Sequence, residues 1–128
     1  MRDTYKVNYD GACFTETDEA GIGVVVRNEL GQVLASLDGK IPMPLTVEAL
    51  EAMAARKAMI FNEELGLRRV IFEGDLELVV KALLGDYPDQ SCIGHIVKDC
   101  KSIMSFFQTC SFSHVRWQNS LVSIEFIS

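Results

Sequence analysis

The order of its periodic segments predicts an α/β fold built on a mixed sheet. Three extended segments come before the first helix, which calls for hairpin pairing. The strands that follow are separated by helices, which calls for crossover connections. A third observation links fold to chemistry, because carboxylates recur where the elements end or bury. Asp10 closes the segment from Lys6, Asp75 follows the strand Val70–Glu73, and Glu51 lies on the apolar side of a helix.

Residues 4–10 read as a strand, followed by a polar loop through Glu19. Ile22–Arg27 is β-branched, Asn28–Gly31 is a turn, and Gln32–Leu37 returns, so the pair forms a hairpin. Pro42 and Pro44 stop extended structure, and Thr46 is positioned to cap a helix. Apolar side chains at 47, 50, 54, 58, 61 and 65 step by three and four, and Gly66 ends the run. Residues 69–73 form the next strand, 76–84 a short helix closed by Gly85, and Tyr87-Pro88-Asp89 a turn. A helix over about 92–107 and a strand from Phe112 to Trp117 complete the order βββαβααβ.

With 128 residues, 48% apolar and 23% charged, the composition is that of one ordinary soluble domain spanning 1–128. No apolar run approaches the roughly 20 residues of a membrane span, and Met1–Lys6 lacks the apolar core of a signal peptide. Cys13, Cys92, Cys100 and Cys110 form no Cys-x-x-Cys pair, which suits a reducing compartment, nucleus or cytoplasm, rather than a disulfide framework or zinc site. The net charge of −6 supplies no basic footprint, so any polynucleotide would be held weakly and with the help of cations. No Gly-x-Gly-x-x-Gly follows the first strand, which disfavours a small nucleotide-binding or redox protein.

Singly, Asp10-Gly11 reads as a turn pair and Asp75 as a helix cap. Glu51 is more telling, because it falls at the edge of the apolar stripe and Glu48 on its flank. A carboxylate at such an edge needs a cation to offset its desolvation. Three carboxylates from three elements can converge on a hard divalent cation. His95 and His114 have no nucleophile at matching spacing and read as structural or surface residues.

Several pieces together resemble the ribonuclease H type 1 family, particularly the reverse-transcriptase-like domains of plant genomes and retroelements. They are Val7-Asn8-Tyr9-Asp10-Gly11-Ala12, Ala20–Asn28, Glu51–Ala58, Phe72-Glu73-Gly74-Asp75-Leu76, and His114-Val115-Arg116 with Asn119. The resemblance implies a five-stranded mixed sheet in the order 3-2-1-4-5 with helices on both faces. It also implies two-metal hydrolysis of the RNA strand of RNA–DNA hybrids, with Mg2+ as the cofactor and Mn2+ as a substitute. Asp10, Glu51 and Asp75 would be metal-binding and catalytic, and the backbone of Gly11 and Ala12 would meet the RNA. The family's fourth acid falls at Ser123, which does not ligate, and its C-terminal helix is missing after about residue 119. A catalytically degenerate domain that binds nucleic acid or protein is the alternative reading.

Overall fold

A computed structural model describes residues 4–14, 16–73, 92–115 and 121–127. The elements are β1 (Tyr5–Phe14), β2 (Glu19–Arg27), β3 (Val33–Pro42), α1 (Val47–Leu65), β4 (Arg69–Glu73), α2 (Cys92–Met104), β5 (Thr109–Val115) and β6 (Leu121–Ile127). The sheet order is β3-β2-β1-β4-β5-β6. The first three strands are antiparallel, β1, β4 and β5 run parallel, and β6 returns antiparallel to β5. The expected order 3-2-1-4-5 is present, and a sixth strand extends it. The expected helix at 76–84 and the turn at 87–89 lie outside the described residues, as does Asp75.

Local chemistry sets the boundaries. In the β2–β3 loop, Asn28 Oδ1 accepts from the amides of Leu30 at 2.9 Å and Gln32 at 3.0 Å, and Gly31 takes φ 81°. The side chain thus reinforces a turn that the backbone also closes, through Gly31 donating to the Asn28 carbonyl and Asn28 to the Gln32 carbonyl, each at 3.0 Å. Thr46 Oγ1 accepts from the Ala49 amide at 3.0 Å, capping α1. At its other end Gly66 takes a left-handed φ of 77° and donates to the last carbonyls. The strands are longer than their sequence patterns. β1 runs on to Phe14 and β3 to Pro42, because each gains hydrogen bonds from a neighbour across the sheet.

Strand alternation sends Val7, Tyr9, Ile22, Val24, Val26, Val70 and Phe72 to one face, where α1 and α2 cover them in a single core. Helix cover of the second face is not found among the described residues. The buried side of α1 differs from the expected stripe: Val47 is 64% exposed and Leu65 41%. Leu50, Ala54 and Ala58 of that stripe are buried as expected, and Ala49, Ala52, Ala55, Met59 and Asn62 are buried with them. The arc is wide because α1 is covered by the sheet on one side and α2 on the other, and its alanines let both approach closely. Arg56 and Asp99 tie the helices at their rim, 2.9 Å apart. Phe107 packs edge-on against Phe72, with ring centroids 5.9 Å apart, and closes the core below β4.

Two polar features inside this core generate tests. Asn62 is 0% exposed, its Nδ2 donates to the Ala58 carbonyl at 2.7 Å, and its Oδ1 meets no donor among the described residues. Near-isosteric Asn62→Leu removes that orphaned acceptor and raises unfolding stability by about 1–2 kcal/mol in urea titration. Burial pushes the thiols of Cys100 and Cys110 up from 9.0 to about 12. The folded chain therefore keeps protons that the unfolded chain sheds near 9, and stability falls as pH rises from 9 toward 12. Urea midpoints measured across that range decline, and the Cys100→Ala/Cys110→Ala protein shows a shallower decline.

Candidate functional site

The site begins at a close approach between β1 and α1. A Cβ built on Gly11 would lie 2.8 Å from Leu50 Cγ, and Leu50 is only 2% exposed. Only glycine lets the helix sit this near the strand. Asp10 precedes Gly11 and Glu51 follows Leu50, so the contact carries one predicted carboxylate on each side. Asp10 is exposed, on the sheet face opposite the core, and its Oδ1 accepts from the Gly11 amide at 2.9 Å. Glu51 is half-buried, as is Glu48, which the sequence pattern placed in solvent. At about 100° per residue, Glu51 falls inside the observed buried arc, between the directions of Ala58 and Asn62.

On Asp10's face a polar chain crosses three strands. Arg27 Nη1 donates to Asn8 Oδ1 at 2.8 Å, and Asn8 Nδ2 donates to Glu73 Oε1 at 3.0 Å. It fastens the end of β4 to β1 immediately before the chain leads to Asp75. The bonds to ionised partners are the stronger class, and a half-buried position limits their screening by water.

Beside Asp10 the same face opens into a groove of about 510 Å³ that includes Ala12, Phe14, Gly23, Asp38 and Lys40. Gly23 pairs with Asp10 on one side and Asp38 on the other. Asp38 Oδ1 lies 3.5 Å from where a Gly23 Cβ would be, so a second carboxylate leans over the glycine floor toward Asp10. Phe14 lies across Gly21 in the same way, its Cε2 3.0 Å from the missing Cβ. Asp38 escaped the sequence analysis, which ended the third strand at Leu37. Its place depends on the register shift between Val26 and Arg27, which moves the pairing by one residue and sets Asp38, rather than Leu37, in one row with Gly23 and Asp10.

The remaining expected residues are dispersed. Ser123 lies within β6 at the register position opposite Ser113, rather than at the start of a helix. His95 is exposed on α2. Among the described residues, no three His, Cys, Asp or Glu side chains gather around one point. Asp10 and Glu51 are hard oxygen donors of the kind a divalent cation takes. Across the described residues, no helix is long and apolar enough to cross a membrane.

The profile of the reverse transcriptase-like family matches residues 8–126. No curated protein sequence matches the chain. The RNase H1 of the halophilic archaeon Halobacterium salinarum NRC-1 is similar in structure, with a TM-score of 0.76 at 21% identity over 90% of this chain and 87% of that one. The N-terminal RNase H domain of a Mycobacterium tuberculosis protein gives a TM-score of 0.75 at 19% identity, over 91% and 85% of the two chains. LC11-RNase H1, isolated from compost and crystallised with an RNA/DNA hybrid, gives 0.70 at 23%, over 91% and 88%. Having the ribonuclease H fold and matching the profile over nearly its whole length, the chain belongs to the reverse transcriptase-like family.

Proposed function

We propose that residues 1–128 act as one ribonuclease H-type domain that hydrolyses the RNA strand of RNA–DNA hybrids. The Gly11–Leu50 contact supports this reading, because Asp10 precedes Gly11 and Glu51 follows Leu50 in sequence. Asp10, Glu51 and Asp75 would hold Mg2+, with Mn2+ as a substitute. Bound there, the cations supply acidity to a water molecule and neutralise the leaving 3′ oxygen. Asp10, exposed beside the groove, faces the solvent from which hybrid and cation arrive. Gly11 and Ala12 offer backbone groups to the RNA 2′-hydroxyl, which separates RNA from DNA.

Charge shapes the substrate preference. A domain of net charge −6 repels a polyanion, so cations at Asp10 are part of binding as well as of chemistry. The similarity to LC11-RNase H1, solved with its hybrid, supports this substrate class. The second reading, a degenerate binding domain, is favoured by Ser123, which lies in a strand where the family has a fourth carboxylate on a helix.

The deciding measurement is cleavage of an end-labelled RNA–DNA hybrid in Mg2+ and in Mn2+. The wild-type chain cleaves in at least one metal, whereas Asp10→Asn and Glu51→Gln fall to background while keeping the wild-type circular dichroism spectrum. Absence of cleavage by folded wild-type protein in both metals overturns the nuclease reading and leaves the binding domain. Gly11→Ala forces Leu50 away from the strand, lowers stability by about 1–3 kcal/mol and reduces cleavage more than hybrid binding. Urea titration, turnover and a binding isotherm together read that outcome.

A further inference from the structure

The two edges of the sheet are built differently. At the β3 edge a register shift between Val26 and Arg27 breaks the β2–β3 ladder, and Asp38, Lys40 and Pro42 punctuate the strand. Charges, proline and bulges are the usual means of keeping an edge from pairing with another chain. At the opposite edge, β6 pairs with β5 at all seven positions without a register shift. Its sequence, Leu-Val-Ser-Ile-Glu-Phe-Ile, has one charge, no glycine and no proline. Among the described residues no strand pairs with its outer side. An edge of this composition is a template for a further strand.

The polarity of β6 reads the same in both directions about Ile124. An antiparallel copy centred there sets Leu121 against Ile127, Val122 against Phe126 and Ser123 against Glu125. Every polar position meets a polar one and every apolar position an apolar one. Sliding the copy by two residues one way opposes Leu121 with Glu125, and the other way opposes Glu125 with itself. The centred register is thus the one free of mismatch and of like-charge opposition.

We propose that β6 pairs antiparallel with β6 of a second copy of this chain about a two-fold axis at Ile124, joining two six-stranded sheets into one. A two-fold contact of this kind is self-complementary and closes at two copies. β1 lies three strands away from β6, so the groove at Asp10 stays clear of the interface.

Position 123 tests the register. Within the chain its register partner on β5 is Ser113, an uncharged position. In the dimer it faces Glu125 of the other copy, twice. By sedimentation equilibrium in the micromolar range the wild-type chain is a dimer. Ser123→Glu weakens it about tenfold and Ser123→Lys leaves it equal or tighter, with thermal midpoints of the dilute variants alike. A wild-type chain that stays monomeric overturns the proposal, as does a dimer that responds alike to both substitutions or a heterologous partner strand recovered in place of the second copy. Hydrogen exchange on the wild-type protein gives an independent reading: β6 amides gain protection as concentration rises. Protection that does not change with concentration overturns the pairing whatever the variants do.

Discussion

The missing side chain at Gly11 is the constraint on which the site depends. It lets Leu50 seat against the backbone of β1, and through Leu50 the whole of α1 takes its depth over the sheet. From that depth follow the burial of the alanine seam and the half-buried position of Glu51. The core packs at crystal-like density and does not deform continuously. A displacement at this one point would therefore pass along α1 to its contacts with α2.

A second constraint acts on the other face of the sheet. Arg27, Asn8 and Glu73 span β2, β1 and β4 with short hydrogen bonds, where the described helices give no cover. They replace apolar packing with a polar lattice, and that lattice borders the strand carrying Asp10. Each end of the chain is charged and its middle is an amide, so Asn8 satisfies an anion and a cation at once.

Features with a local cause were legible in the sequence. Thr46, Asn28 and Gly66 each act on amides or carbonyls within a few residues, and their roles matched the patterns that announced them. The mixed sheet followed from the sequence of elements, and its strand order from the family resemblance. Features with a distant cause were not legible. Val47 and Leu65 looked buried because the stripe assumed a single covering surface, whereas α1 is covered on two sides. Asp38 was hidden because its place beside Asp10 depends on register across two strands and on a register shift within one of them. Asp75 lies outside the described residues and stays an expectation of sequence alone.

The parallel pairing of β1 with β4 has a consequence for how the chain reaches this state. Tyr5 pairs with Val70, so the central strand meets its neighbour only after the hairpin and α1 have been traversed. The β2–β3 hairpin closes through a short loop and can form in microseconds, whereas the β1–β4 ladder waits on a far longer closure. The strand bearing Asp10 is then fully seated late. A cation or hybrid held by that strand favours the last step over its reversal, so ligands of the site would slow unfolding more than they speed folding.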